Sequence, residues 1–210
     1  MDDARADAPV LEADLLGVRT RRGWVFSEVS LRAHRGQLVA VAGPGGSGRT
    51  SLLLTLAGRM RPSAGALAVD GDDDPAAVRR RVAVARAGGA AAPEPWLRVR
   101  QLVAERLRTA PDASRETFED ACEIVGLSAG PATVVESLPA ADTTRLALAL
   151  ALLESPAVIV LDDLDSGAGH AARQSLWDAA RHAAAHGPVI VAAAADPGPG
   201  DVLVTLGDPA

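Results

Sequence analysis

The sequence contains no lysine, no asparagine and no tyrosine, and it has only two phenylalanines and one cysteine. Its 21 basic residues are therefore all arginines. Because Cys122 is alone, an internal disulfide and a metal site built from several cysteines are both excluded. Cys122 lies with Phe118, Ala121 and Val125 at the spacing of one helix face, which predicts a core position. The missing residue types share A/T-rich codons, so a G/C-biased gene is the simplest explanation of the composition.

Acidic residues outnumber basic ones, 27 to 21, so the formal net charge is -6. A protein that binds nucleic acid through its phosphate backbone usually has a basic face, so no nucleic-acid partner is expected. No apolar run reaches the roughly 20 residues that span a bilayer, and the acidic first residues do not resemble a secretory signal. At 210 residues the chain is predicted to form a single cytoplasmic domain, residues 1–210.

Five short, continuously apolar segments predict strands that are covered on both faces. They are residues 37–43, 81–85, 156–163, 187–193 and 201–206. Helical patterns occupy residues 49–59, 97–108, 114–126, 142–153 and 170–186. Strands that alternate with helices predict an α/β fold with a mainly parallel sheet. Three consecutive helical patterns predict a helical subdomain at about 93–154, inserted into an α/β core at about 10–92 and 155–210.

The segment GPGGSGRTS, residues 43–51, follows a predicted strand and precedes a predicted helix. It fits the pattern G-x-x-x-x-G-[K/R]-[S/T]. Small residues let successive backbone N–H groups face one centre, and the helix start adds positive potential, so such a loop binds phosphate. A glycine-rich turn without a ligand is the alternative. The candidate phosphate-binding residues are Gly43, Pro44, Gly45, Gly46, Ser47, Gly48, Arg49, Thr50 and Ser51.

An acidic pair, Asp162 and Asp163, follows the apolar run AVIVL. In nucleoside-triphosphate sites an acidic residue at the end of a buried strand holds Mg²⁺ through water, and a hydroxyl of the phosphate loop is a second ligand. Asp162 and Thr50 are therefore the candidate metal ligands. The alternative is a turn that merely ends a strand with two carboxylates. The loop far upstream favours the nucleotide interpretation.

With this loop and this acidic pair, the chain resembles the ATP-binding cassette (ABC) domain, the ATPase module of ABC transporters. Residues 24–71, 125–127 and 145–163 carry the resemblance, which extends over nearly the whole chain. It implies a P-loop NTPase fold of the ABC type, with an N-terminal antiparallel β part beside the parallel core. It also implies ATP and Mg²⁺ as ligands, and a membrane-spanning transporter subunit and a second cassette chain as partners. The location would then be the inner face of the cell membrane.

Several family motifs are altered in this chain. The signature L-S-G-G-Q, which meets the γ-phosphate bound to the opposing subunit, corresponds to residues 138–142, LPAAD. The glutamine that links the metal site to the transporter falls at about Ala87, and the histidine that contacts the γ-phosphate falls on Ala195. The aspartate of the D-loop falls on Gly169. The aromatic residue that stacks on adenine falls near Thr20; Trp24 is a substitute, or else a packing residue.

Two further changes concern the charged groups of the site. Asp163 stands where the family has the glutamate that polarises the attacking water, and it is shorter by one methylene group. Arg49 replaces a lysine, and a planar guanidinium does not fit a site shaped for a compact ammonium group. A chain without lysine would acquire arginine here by drift, but only where the site tolerates it. Asp163 is the candidate catalytic residue, and hydrolysis is expected to be slow or absent.

Two functions remain open after the sequence alone. The first is an ATP-binding subunit of an ABC transporter with weak or lost hydrolysis. The alternative is a non-hydrolysing degenerate partner or regulatory module that does not power transport. A metal site at His182 and His186, four residues apart on a helix, is a third interpretation, but no third ligand stands at a suitable spacing.

Overall fold

The computed structural model of the chain describes residues 8–88, 91–110, 113–196 and 198–207. The strands are β1 (Leu11–Thr20), β2 (Gly23–Ala33), β3 (Leu38–Ala42), β4 (Ala64–Val69), β5 (Val82–Arg86), β6 (Val158–Leu161), β7 (Val189–Ala194) and β8 (Val202–Thr205). The α-helices are α1 (Arg49–Leu56), α2 (Pro75–Arg81), α3 (Val99–Thr109), α4 (Arg115–Val125), α5 (Ala140–Leu152) and α6 (His170–Ala185).

The core of the protein is a five-stranded sheet in the order β5-β6-β7-β3-β8, and all its strand pairs are parallel. Its five strands are those predicted from the apolar runs. Alternate residues of β3 enter two different apolar clusters. Leu38 and Ala40 pack with α5 and α6, whereas Val39 and Val41 pack with α1 and the N-terminal strands. Both faces are covered, which explains why the strand sequences are continuously apolar.

A separate three-stranded sheet, in the order β2-β1-β4, is antiparallel and forms the N-terminal β part that the family resemblance implies. Neither its three strands nor helix α2 is among the segments predicted from apolar patterns. Burial along β1 and β2 is interrupted by exposed residues, and register shifts break the alternation of buried and exposed positions. The periodicity of these strands is therefore weak, although the hairpin itself is well formed.

Helices α3, α4 and α5 lie between β5 and β6 in chain order, as the run of three helical patterns predicts. The boundaries at about residues 93 and 154 stay a prediction. The hydroxyl of Ser114 caps α4 by accepting the N–H of Thr117, and Gly126 ends the helix in a left-handed conformation. Helix α5 is buried from Leu146 to Ala151. None of the helices in the described ranges combines the length and apolar character of a membrane-crossing segment.

Cys122 is partly buried against the cluster that contains α5, as its helix-face spacing predicts. Burial, with a smaller contribution from the nearby carboxylate of Glu119, raises the pKa of the Cys122 thiol to about 11. The thiolate is therefore a minor species at neutral pH, and Cys122 is a packing residue.

The carboxylate of Asp201 binds the start of β3 and a side chain of α6. Asp201 accepts a hydrogen bond of 2.8 Å from the N–H of Leu38, a residue that is fully buried. It also forms an ion pair of 3.0 Å with Arg181 on α6. The Leu38 N–H, with a further contribution from Arg181, lowers the pKa of Asp201 below its ordinary value. The charged carboxylate therefore stabilises the fold.

We predict that Asp201→Ala lowers the free energy of unfolding by about 1–2 kcal/mol at pH 7, because the buried Leu38 N–H loses its acceptor. A lowered pKa means that this stability is present above the ordinary aspartate pKa of about 3.9 and is lost as the pH falls through the folded-state value. The difference between the wild-type and variant curves from chemical denaturation should therefore narrow in acid. Asp201→Asn, which keeps an acceptor oxygen, is the matched control; an Asp201→Ala difference that does not narrow in acid would contradict the assignment.

Candidate functional site

The loop of residues 43–48 joins the end of β3 to the start of α1, at the carboxyl edge of the parallel sheet. The N–H of Ser47 donates to the carbonyl of Pro44, and the N–H of Leu52 donates to the carbonyl of Gly48. Pro44, Gly45 and Gly46 are exposed, whereas Ser47 is buried. The loop thus has the strand-to-helix position that the sequence predicts, and Arg49, Thr50 and Ser51 form the first turn of α1.

Two glycines of the loop are required by its geometry. Gly48 has φ 93°, and a Cβ atom there would lie 2.6 Å from the carbonyl oxygen of Val25 on β2. A Cβ atom on Gly43 would lie 2.5 Å from Ser47 Oγ and 2.8 Å from the carbonyl oxygen of Leu206. Gly45, in contrast, faces open space within 4 Å. The backbone of the loop is therefore packed between β2 and β8 at its ends and open at its tip.

The loop holds polar groups that have no partner within the described part of the chain. Ser47 is 2% exposed, and its Oγ makes no hydrogen bond. The Nη1 atom of Arg49 is also buried without an acceptor. Buried unpaired donors cost about 1–3 kcal/mol each, more when charged, and a ligand that accepts from them would remove this cost. Together with the start of α1, they make this loop suitable for phosphate.

The metal-ligand candidates lie side by side. The hydroxyl of Thr50 donates to Oδ2 of Asp162, a residue that is only 1% exposed, and the N–H of Asp163 donates to Oδ1 of Asp162. A hydroxyl and a carboxylate with adjacent oxygens are ligands that suit Mg²⁺. The structure therefore brings together Thr50 at the start of α1 and Asp162 after β6, which are far apart in sequence.

Arg49 forms an ion pair with Asp163. Arg49 directly precedes Thr50, and Asp163 directly follows Asp162, so the ion pair lies beside the Thr50–Asp162 contact. Its Nη2 donates to Oδ1 of Asp163 over 3.0 Å. The Arg49 side chain is 13% exposed and that of Asp163 is 44% exposed. Asp163 has φ 44°, in the left-handed region that aspartate tolerates better than most residues. The candidate catalytic carboxylate is therefore held by the arginine of the phosphate loop.

Of the residues directly after β5, the structure describes Ala87 and Gly88, and neither has a side chain that could ligate a metal ion. Ala87 is fully buried and forms a backbone bridge with Ala91. Gly88, the next residue, lies beside Thr50 and Asp162. A Cβ atom on Gly88 would be 3.6 Å from Thr50 Cγ2 and 3.9 Å from Asp162 Oδ2. Whichever of the two positions corresponds to the family glutamine, it offers no oxygen ligand.

Residues 138–142, which are expected to correspond to the family signature, lie at the start of α5. Pro139 precedes the helix without a side-chain cap, and Ala140 and Ala141 begin it. Asp142 in the first turn forms an ion pair of 2.7 Å with Arg145, which also donates to the hydroxyl of Ser175 over 2.8 Å. The positive end of this helix is thus neutralised by its own carboxylate.

The loops after β6 and β7 are joined by one arginine. Arg173 on α6 contacts Asp165 at 2.8 Å and Asp196 at 3.3 Å. Asp196 follows Ala195, which is exposed and carries no donor for a phosphate. Gly169 lies directly before α6 and, having no side chain, cannot replace the D-loop carboxylate.

Trp24 is engaged in packing. A Cβ atom on Gly17 would lie 3.0 Å from its ring, and the guanidinium of Arg19 lies 5.5 Å from the ring centroid. This favours the packing interpretation over adenine stacking. Thr20, at the end of β1, is occupied by a hydrogen bond with the Arg22 N–H.

Sequence patterns did not indicate two parts of the site. The backbone carbonyl of Val25 packs against Gly48, and no side-chain motif in the sequence indicates this contact. Gly88 is one of many glycines, and only its position beside Thr50 and Asp162 makes it notable. Neither residue carries a sequence signal, because both act through the backbone.

Comparison with known proteins gives a consistent result. A family model described as "ABC transporter" matches residues 26–166. A probable anion import ATP-binding protein of Haloferax volcanii is 35% identical in an alignment of length 180, and the match covers 76% of this chain and 62% of that protein. The cytochrome c biogenesis ATP-binding export protein CcmA of Pseudomonas putida KT2440 is 32% identical over 73% of this chain and 74% of its own length. The chain thus spans less than two thirds of the first of these relatives.

Solved structures resemble the fold over nearly its full length. A putative ABC transporter ATP-binding protein from Pyrococcus furiosus has a TM-score of 0.78 at 20% identity, and the match covers 93% of this chain and 96% of that one. The dimeric bacterial ABC transporter cassette MJ0796 has a TM-score of 0.75 at 18% identity, with 94% of each chain covered. At these identities the likeness concerns the fold alone.

We predict that Gly48→Ala lowers the free energy of unfolding by about 2 kcal/mol or more, because a left-handed alanine is strained and its Cβ would collide with the Val25 carbonyl. Gly45→Ala is the matched control and should change stability by less than about 0.5 kcal/mol. Urea denaturation of the three proteins measures both effects. Equal stability of the two variants would show that the loop does not have this conformation.

Proposed function

Because the chain belongs to the ABC transporter family, we propose that it is the ATP-binding subunit of a membrane transporter, that it binds MgATP at residues 43–51, and that it hydrolyses ATP slowly or not at all. The observation that carries the binding proposal is the set of unpaired donors in the loop, Ser47 Oγ and Arg49 Nη1, beside the contact between Thr50 and Asp162. These groups are the protein's complement to phosphate and Mg²⁺.

Each part of the loop has a role in this proposal. The backbone from Gly43 to Gly48 supplies N–H groups for the phosphates, and Ser51 follows Thr50 in the first turn of α1, where the helix adds positive potential. Mg²⁺, when bound, neutralises phosphate charge. Thr50 and Asp162 would hold it, and the Thr50 hydroxyl and the Asp163 N–H orient the Asp162 carboxylate.

Slow hydrolysis is supported by the side chains around the loop. Asp163 has a shorter reach than the glutamate of the family, by one methylene group. Displacement of a reacting group by about 1 Å can lower a rate by about 10²-fold. Ala195 and Gly88 offer no group to orient a water or a phosphate.

A second cassette chain would not supply the missing groups. In a dimer of this family each ATP lies between the loop of one subunit and the signature of the other. The segment that this chain would present to its partner contains Ala140, Ala141 and Asp142, and the Asp142 carboxylate in the first turn of α5 is an acceptor that offers phosphate no donor. Slow turnover is therefore proposed for a homodimer and for a heterodimer alike.

The alternative is a regulatory or degenerate partner that binds ATP and does not power transport. The same side-chain changes support it, and the two functions are separated by whether transport through the membrane partner depends on ATP binding to this chain. The relatives are named for different cargoes, anion import and cytochrome c biogenesis, so their names favour no single substrate for this chain.

We predict that the purified protein binds a fluorescent ATP analogue in a Mg²⁺-dependent manner and that its turnover of ATP stays below about 0.1 s⁻¹, which is about 10²-fold under a common enzyme rate. Asp162→Asn should remove the Mg²⁺-dependent part of binding, because it removes the metal-ligand charge. Fluorescence titration and phosphate release measure the two quantities. Rapid turnover that Asp162→Asn abolishes would contradict the proposal of slow hydrolysis, and absence of binding would contradict the proposal as a whole.

A membrane partner gives a further expected outcome. In its native cells the chain should sediment with membranes, and alkaline carbonate should release it, because its attachment would depend on a membrane subunit. Detergent extracts should contain the chain together with an integral membrane protein on affinity purification. Recovery of the chain entirely in the supernatant of an ultracentrifuged lysate would contradict the partner proposal.

A further inference from the structure

We propose that Asp163 is a positioning residue that competes with nucleotide phosphate for the guanidinium of Arg49. This inference rests on the proposed nucleotide site and goes beyond it, because it gives the carboxylate a role in binding that differs from activation of water. Its consequence is that the chain weakens its own affinity for nucleotide through an internal ion pair.

The geometry of the pair supports this role. Nη2 of Arg49 donates to Oδ1 of Asp163 over 3.0 Å, and the arginine side chain is 13% exposed. Its Nη1 is buried and has no acceptor. One end of the guanidinium is thus neutralised by the carboxylate, while the other end is unpaired within the loop. A phosphate that used both ends would have to displace Asp163.

The neighbouring contact fixes the pair in place. Thr50 donates to Asp162, so two consecutive residues of α1 contact two consecutive residues after β6. The N–H of Asp163 is itself bound to Oδ1 of Asp162 at 3.0 Å, which holds the backbone of Asp163 in its left-handed conformation. The Asp163 carboxylate is therefore presented to Arg49 by a buried group, rather than meeting it by chance at the surface.

Charge decides the direction of the effect. A guanidinium that is paired with a carboxylate presents little net charge to a second anion, so the pair attracts phosphate less than Arg49 alone would. Because Asp163 is 44% exposed, solvent screens the pair, and a nucleotide with several phosphate charges and the backbone N–H groups can still displace it. The competition should therefore lower affinity several-fold without abolishing binding.

The pairing belongs to the nucleotide-free state. When phosphate takes the arginine, Asp163 is released beside the bound anion. Asp163 thus acts on nucleotide binding through Arg49, and contact with the nucleotide itself is not part of this role.

The test measures the affinity for fluorescent ADP. ADP lacks the γ-phosphate that an ATPase removes, so a difference in turnover between the variants cannot change the measured affinity. The proteins are the wild type, Asp163→Asn, Arg49→Ala and the double variant. Asp163→Asn should bind ADP about 3- to 10-fold more tightly, and Arg49→Ala more weakly. In the Arg49→Ala background Asp163→Asn should have no effect, because its action requires the arginine.

Asp196→Asn is the control for net charge. It removes the same charge from the loop after β7, where the side chain is 76% exposed and contacts Arg173. Its ADP affinity should stay within about 2-fold of the wild type. Thermal unfolding without ligand gives a second readout: Asp163→Asn should lower the melting temperature while raising affinity, a combination that a purely structural role would not produce.

Three results would overturn the inference while the proposed function stands. These are unchanged or weaker binding by Asp163→Asn, an equal gain in the Arg49→Ala background, and an equal gain in Asp196→Asn. The last two would show general repulsion of the phosphates rather than competition for Arg49. Failure of every variant and of the wild type to bind ADP or ATP would overturn the proposed function and the inference together.

Discussion

The five-stranded parallel sheet is packed against apolar residues on both faces, and this constraint decides where polar chemistry can take place. Strands β3 and β7 are buried along their whole length, and their side chains enter one apolar cluster or the other. Polar groups can therefore gather only where the strands end. All pairs in this sheet are parallel, so the carboxyl ends of β3, β5, β6 and β7 meet at one edge. The phosphate loop, Gly88, Asp162 and Ala195 all lie there.

The order of the strands then determines which groups meet. Strand β7 lies between β3 and β6, so side chains at the start of α1 must extend across the end of β7 to contact the acidic pair after β6. Residues 192–195 at that end are all alanine, and their small side chains leave room for this contact. Thr50 meets Asp162 and Arg49 meets Asp163 as a result. The site is thus formed by the first turn of α1 and the residues after β6, which meet across the alanine-rich end of β7.

Binding and hydrolysis depend on different parts of this molecule. The phosphate loop is built from backbone groups whose geometry requires Gly43 and Gly48, and both are present. In the function proposed above, hydrolysis would depend on individual side chains in separate loops, at positions where this chain has alanine, glycine or aspartate. Substitutions at exposed loop positions such as Ala195 usually change stability little. The fold and the phosphate loop can therefore persist whether or not the groups needed for turnover are present.

Local sequence determined the parts of the protein whose structure follows from neighbouring residues. Continuous apolar runs predicted the five core strands, and the spacing of glycines between strand and helix predicted the phosphate loop. The antiparallel strands were not found from their pattern, because register shifts in β1 and β2 interrupt the alternation of buried and exposed residues. Only the tertiary structure paired Arg49 with Asp163, 114 residues apart, and set Gly88 beside Thr50 and Asp162. Those contacts depend on which strand ends adjoin in the folded sheet, and the distance between residues along the chain does not contain that information.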